Sequence, residues 1–276
     1  MFGFFPPCIR PKICQNEAAM NIKLFAPLLA ILAYLNGCAT ARYQPSSVFP
    51  NAVVTPVPKP EIAPTGTDHI LRAATEPSKP FDGKDWRDLL DRRSLNGWRI
   101  TDFGQGGSVI VTNGILVLNR GNPFVGVNLI GDIPPLNYEV AFDAMRLAGD
   151  DFFCGLTFPV GESFCSLILG GWGGGLVGLS NVDGADASEN ETTTYVSFET
   201  GRWYRIRLRV TEQKIEAWIE QKKVVNLSTT GRKLSVRFGE ILRSQPFGIA
   251  SWETSSAFRE IKIRNTSQPD SAPQRD

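Results

Sequence analysis

An all-β fold, an antiparallel β-sandwich of the jelly-roll kind, is predicted for residues 81–264 by three features of the sequence. Short segments alternate apolar and polar residues with a period of two, and Gly, Asn and Pro punctuate them. Helical periodicity is nearly absent, apart from a turn expected at Asp85 to Arg92. No internal repeat divides the region, which argues against a propeller and leaves a sandwich as the way to bury so many short strands.

The chain of 276 residues carries a net charge of +1, so nothing points to a polyanionic partner, and nucleic acid is not expected. The sequence has a single histidine, His69, which falls in a proline-rich segment ahead of the expected domain. That placement excludes a catalytic triad, a histidine base and a histidine-ligated zinc or iron.

Residues 20–38 run from Met20 through Lys23 and an apolar stretch to Leu35-Asn36-Gly37-Cys38. This looks like a bacterial lipoprotein signal with Cys38 as the lipidated residue, and residues 1–19 read as a mis-called extension. The apolar run is shorter than the roughly 20 residues a membrane span needs, which favours a cleaved signal. A lipid on Cys38 implies a membrane partner and a place in the bacterial cell envelope, facing periplasm or exterior. Residues 39–80 hold eight prolines and read as a semi-stiff linker, and residues 265–276 read as a disordered tail.

Within the domain, Asn113-Gly114 between two β-branched runs is a strong hairpin signal. Tyr138, Val140, Phe142 and Ala144 form one apolar strand face. With Glu212-Gln213 as a turn, Ile206 lies opposite Ile219, Leu208 opposite Ala217 and Val210 opposite Ile215. Arg205, Arg207 and Arg209 then face Glu220, Trp218 and Glu216 on the other side, as a solvated sheet face rather than a ligand clamp. By the same alternation Trp203 points to the surface, whereas Trp86 and Trp98 read as packing residues.

The stretch from Arg146 to Thr192 concentrates the candidate chemistry. Two β-like segments, 151–158 and 164–169, precede the glycine-rich run Gly170-Gly171-Trp172-Gly173-Gly174-Gly175 and an acidic loop. Without a usable histidine, acid–base work falls to carboxylates: Asp151, Glu162 and Glu189, with Arg146 as the cation. Each also reads as a solvated loop charge. Trp172, Trp252, Glu253 and Asp150 are the expected substrate contacts, Trp172 either stacking on a ligand or packing beneath its loop. Asp183, Asp186 and Glu191 could wrap Ca2+ or another divalent ion, or belong to an ordinary acidic loop. Cys154 and Cys165 flank a hairpin at Pro159-Val160-Gly161. A four-residue loop would pair them for a disulfide, and a three-residue loop would put them on opposite faces as free thiols.

Phe81-Asp82-Gly83-Lys84, Leu95-Asn96-Gly97-Trp98, Asn113-Gly114, Asn137-Tyr138-Glu139-Val140, Gly201-Arg202-Trp203-Tyr204-Arg205-Ile206-Arg207-Leu208, Pro246-Phe247-Gly248-Ile249-Ala250 and Phe258-Arg259-Glu260-Ile261-Lys262-Ile263 together resemble the 3-keto-disaccharide hydrolase domain family. That family is also described as 3-keto-glucoside 1,2-lyase and 3-keto-2-hydroxy-glucal hydratase. The resemblance implies a concanavalin A-like jelly roll with a carbohydrate ligand, acting on 3-keto-glycosides by hydrolysis or elimination. The chain departs from the family pattern at Phe164-Cys165-Ser166-Leu167-Ile168, which has no carboxylate, and at Ile249-Ala250-Ser251-Trp252-Glu253. A non-catalytic carbohydrate-binding lipoprotein is the alternative these departures leave open, and a surface lipoprotein without a sugar ligand is the third.

Overall fold

The computed structural model describes residues 66–266. The readings at 1–19 and 20–38, the first part of the linker and the end of the tail lie outside the described residues.

Two antiparallel sheets face each other across one core. The first runs β13 (Lys222–Ser228), β12 (Lys214–Ile219), β11 (Tyr204–Val210), β6 (Tyr138–Ala148), β15 (Ser255–Asn265), β4 (Ile115–Leu118) and β3 (Val109–Thr112), with β1 (Arg87–Asp88) also on β15. The second runs β10 (Thr194–Tyr195), β9 (Leu176–Ser180), β8 (Ser163–Gly170), β7 (Cys154–Val160), β14 (Gly248–Trp252), β5 (Phe124–Leu129) and β2 (Trp98–Ile100). Alternation fills the space between them: Tyr138, Val140, Phe142 and Ala144 of β6 share a buried cluster with Leu156, Phe158, Leu167 and Leu169 of the other sheet. Residues 85–92 form no helical turn, because Arg87 and Asp88 pair with Ile263 and Lys262.

Local pairing follows the sequence closely. Asn113 and Gly114 take positive φ angles of 51° and 77° between β3 and β4, as a two-residue hairpin turn requires. The pairs Ile206 with Ile219, Leu208 with Ala217 and Val210 with Ile215 hold. The β7–β8 hairpin differs from both expected loops, since Gly161 and Glu162 alone make its turn and Phe158 pairs with Cys165. Pro159 stays in the strand because β14 pairs with β7 only from Gly155 to Thr157, so its missing N–H costs no ladder bond on that side. Both cysteines therefore face the core as free, buried thiols. Cys154 pairs with Leu169, four positions from the Phe158–Cys165 pair, or about 13 Å along the strand at roughly 3.3 Å per residue, too far for a disulfide. Burial pushes both thiols up, Cys165 to about 12, which removes them as nucleophiles at neutral pH.

The outer face of the first sheet is not a solvated arginine row. Glu139 is fully buried there, and its Oε2 accepts bonds from Arg264 Nε (2.8 Å) and Nη2 (2.6 Å), while Arg207 Nη1 lies 3.1 Å from Oε1. Asp143 takes Arg205 Nε at 3.1 Å and Arg259 Nε at 3.2 Å. The expected register holds, Arg207 facing Trp218 with its guanidinium carbon 3.9 Å from the ring and Arg209 facing Glu216, and the carboxylates of β6 add a second set of partners. Arg205 and Arg259 also donate to backbone carbonyls of residues 76, 79 and 80. This ties down a segment read from its prolines as linker.

That segment begins with α1 (Gly66–Thr75), whose Ala73 and Ile70 cover Met145, Leu147 and Trp203. Trp203 does point away from Tyr204, yet the helix buries it, with Arg259 4.2 Å from its ring. His69 is likewise inside the fold, 8% exposed and packed against Gly201. The tail also starts late, for Asn265 ends β15 and Thr266 N–H bonds to Asn137 O at 2.8 Å.

Removing one partner of a buried ion pair strands the other charge, a loss of about 3–5 kcal/mol. Glu139→Gln is therefore expected to lower the unfolding free energy by that order in urea titration. A change below about 1 kcal/mol, the typical size of an exposed pair, would show that the network contributes little.

Candidate functional site

The face of the second sheet turned away from the core carries the opposite set of side chains. Because Cys165, Leu167 and Leu169 point inward, Ser166 and Ile168 point out, joined by Phe124 of β5, Ser180 of β9 and Trp252 of β14. A cleft of about 560 Å³ lies over them, walled by Asp151, Trp172 and the loop from Arg237 to Ile241. Thr157 and Ser166 share a buried hydroxyl–hydroxyl bond of 2.8 Å on this face. Phe124 meets Trp252 edge-on at 4.6 Å and stacks on Phe103 at 4.8 Å, so aromatic rings build one wall.

The loops over this face are bound to each other. Val182 bridges Leu234, Ser235 N–H bonds to Asn181 O at 3.2 Å, and Asp183 N–H bonds to Lys233 O at 2.8 Å. Further along, Asn128 Nδ2 bonds to the carbonyls of Arg243 (3.1 Å) and Gln245 (3.0 Å), pinning the short 3₁₀ turn Glu240–Ser244 to the sheet.

Asp151, Trp172 and Trp252, singled out in the sequence, come together in this cleft. Asp151 accepts the N–H of Phe152 at 2.7 Å and the N–H of Trp172, so the carboxylate itself braces the glycine-rich loop. Burial raises its pKa above the usual carboxylate range. Those two N–H groups pull it back, and Asp150 and Glu253 push it up further.

Trp172 is 43% exposed and sits at φ 46°, ψ 62°, a left-handed conformation that a bulky residue rarely adopts. The flanking glycines serve a second purpose besides turning the chain. The Arg146 guanidinium fills the space under the loop, donating to Gly174 O at 2.6 Å and lying 5.3 Å from the Phe153 ring. A Cβ on Gly170, itself at φ 78°, would fall 2.5 Å from Arg146 Nη2.

Arg146 is accordingly a correction to the sequence reading. Its side chain is buried at the end of the sandwich beneath the loop, and it supports the cleft without lining it. Glu162 is exposed in the β7–β8 turn, and Glu189 is exposed on the acidic loop; neither lines the cleft. Glu253 pairs with Arg120 at 3.0 Å and Asp150 is exposed, so both border the cleft only through their charge on Asp151.

The three carboxylates considered for a metal each meet an arginine. Asp183 and Glu191 both hold Arg232, and Asp186 holds Arg237 at 2.8 Å. Among the described residues no group of three or more His, Cys, Asp or Glu is placed to hold a metal ion.

Residues missed in the sequence are Phe124, Ser166, Ser180, Arg237 and Glu240. The one local signal was Arg237-Phe238-Gly239-Glu240, a cation, an aromatic and a carboxylate around a glycine, with Phe238 93% exposed.

Two antiparallel sheets around one core, with a cleft on one outer face, define an antiparallel β-sandwich domain. Residues 85–264 match the model of the 3-keto-alpha-glucoside-1,2-lyase-like domain, and the chain belongs to that family of carbohydrate-active domains. Among solved structures, a transglycosylase, Crh5, is 12% identical, with 67% of this chain and 85% of that chain covered at a TM-score of 0.46. A protein described as a glycosyl hydrolase, from Parabacteroides distasonis, is 14% identical, with 65% and 93% covered and a TM-score of 0.43. The carbohydrate-binding module CBM66 of Bacillus subtilis is 11% identical, with 61% and 96% covered and a TM-score of 0.41. No curated protein matches the sequence significantly.

Gly170→Ala is expected to cost about 1–3 kcal/mol from the clash and the left-handed backbone, and so to lower Tm by several degrees. An unchanged Tm in a thermal melt would mean that Arg146 does not fill the loop. With Arg232 and Arg237 holding the acidic loop, millimolar calcium is expected to leave Tm unchanged, since a ligand bound only by the native state would raise it. A rise abolished by Asp183→Asn would restore a metal site.

Proposed function

We propose that this domain cleaves 3-keto-glycosides in the cleft of the second sheet, by elimination or hydrolysis, with Asp151 as the base. The observation that carries the reading is that Asp151, a half-buried carboxylate with a raised pKa, shares one cleft with the exposed ring of Trp172. A ketone at C3 acidifies the hydrogen at C2. A carboxylate held beside the sugar can take that proton, and loss of the C1 substituent then leaves a C1–C2 double bond to which water can add. Burial raises the pKa of the base, the direction a general base at neutral pH needs, and the sugar needs an apolar platform, which Trp172 and Trp252 supply. Glu240 lines the same cleft and offers a second carboxyl to protonate the departing oxygen.

The readings of Lys23, the apolar run and Leu35-Asn36-Gly37-Cys38 support an extension of this proposal, that the enzyme is lipid-anchored in a bacterial envelope. A second reading, sugar binding without turnover, is favoured by the aromatic walls and by the distance of Glu162 and Glu189 from the cleft.

Asp151→Asn keeps an oxygen for the two backbone N–H groups and removes the base. Turnover of a 3-keto-disaccharide is expected to fall 10²- to 10⁴-fold, the range for a lost general base. Because the active form is the carboxylate, the acid limb of kcat/KM should lie above the usual carboxylate range in the parent and vanish in the variant. The raised pKa favours the protonated fold, so stability falls as pH climbs from the unfolded-state value to the folded one. The variant should thus be no less stable at neutral pH. Sugar binding that survives in both proteins, with no turnover in either, would establish the second reading.

A further inference from the structure

Among the described residues lining the cleft, Arg237 is the one Lys or Arg. Its Nη1 lies 2.8 Å from Asp186 Oδ2, and its guanidinium carbon lies 5.6 Å from the Trp172 ring centroid. Asp186 is itself fixed, its Oδ1 accepting the Ser188 N–H at 3.0 Å and the Ser188 hydroxyl at 3.1 Å. The contacts run from Ser188 through Asp186 to one end of the guanidinium. A guanidinium has five N–H donors in a rigid fork, and the Arg237 side chain is 55% exposed, so donors remain on the open side of the cleft.

We propose that Arg237, oriented by Asp186, recognises the ketone of the sugar and holds the negative charge that develops on its oxygen. The proposal rests on the reading of the cleft as a keto-glycoside site. When the C2–H bond breaks, the proton passes to Asp151 and the bonding pair forms C2=C3 as the carbonyl π pair moves onto the C3 oxygen. That oxygen then carries a full charge beside the Arg237 fork. As the pair returns, C1=C2 forms, the C1–O bond breaks, and the glycosidic oxygen leaves with its electron pair and takes the proton of the Glu240 carboxyl. A preorganised donor aimed at such an oxygen is worth more to the transition state than to the ground state. A parent sugar with a C3 hydroxyl develops no such charge, so Arg237 separates oxidised from unoxidised ligands. Arg237 acts on the substrate directly, and Asp186 is a positioning residue.

The test measures C2 hydrogen–deuterium exchange and turnover of a 3-keto-glucoside in D2O, with Tm recorded for each variant. Arg237→Met is expected to lose 10²- to 10³-fold in exchange and in kcat, the range for one lost oxyanion donor. Added guanidinium ion should restore part of both. Arg237→Lys should lose less than Arg237→Met, and Asp186→Asn should lower kcat with little change in KM. Exchange at the parental rate in Arg237→Met, or no recovery with guanidinium in a folded variant, would overturn the role of Arg237 while leaving the keto-glycoside reading intact. A parent protein that neither exchanges nor turns over the substrate sinks both. Should Arg237→Met fail to fold, the deficit of Arg237→Lys carries the comparison, and parental exchange by that variant would overturn the proposal.

Discussion

The hydrogen-bond ladder between β7 and β8, closed by the two-residue turn at Gly161 and Glu162, decides which side chains of the second sheet meet the core and which meet the cleft. Pairing Phe158 with Cys165 turns Cys165, Leu167 and Leu169 inward and sends Ser166 and Ile168 outward. A slip of one residue would exchange the two sets, placing serine in the core and leucine on the cleft floor. The burial of three apolar side chains against β6 therefore holds the cleft floor in place as firmly as it holds the sandwich together.

Above that floor the strand end becomes a support for strained backbone. Arg146 leaves the core with its guanidinium under the glycine-rich loop, and Asp151 accepts N–H bonds from the same loop on the cleft side. Trp172 is held between them in a left-handed conformation with its ring in the open. Strain of this kind persists when the surroundings over-determine it, and here the surroundings include a carboxylate whose ionisation is already costly. One carboxylate thus braces the loop backbone while facing the cleft. The acidic loop does comparable work on the opposite wall, where Asp183, Asp186 and Glu191 hold Arg232 and Arg237.

What could be read from the chain was what depends on neighbours in sequence. The Asn113-Gly114 turn, the β6 alternation and the pairing of Ile206 with Ile219 follow from local periodicity and turn chemistry. Asp151, Trp172 and Trp252 were legible because glycine and acid stand out against strand patterns. Pro159 looked like a loop residue because a proline's tolerance in a strand depends on a partner strand far away in sequence. The arginines looked like a solvated face and α1 looked like linker, because a sheet's second face is covered or bare only by tertiary structure, here the buried Glu139 and Asp143 and the helix. Arg237 and Glu240 escaped notice for the same reason, since their place in the cleft comes from loops zipped over the sheet.

The account comes to rest on one spatial claim, that a keto-sugar lies between Asp151 and Trp172. The most direct test is crystallography of Asp151→Asn soaked with a 3-keto-disaccharide. The account predicts a sugar ring over the indole of Trp172, with its C2 hydrogen directed at the side chain of residue 151. A sugar bound elsewhere on the domain, with this cleft empty, would contradict it.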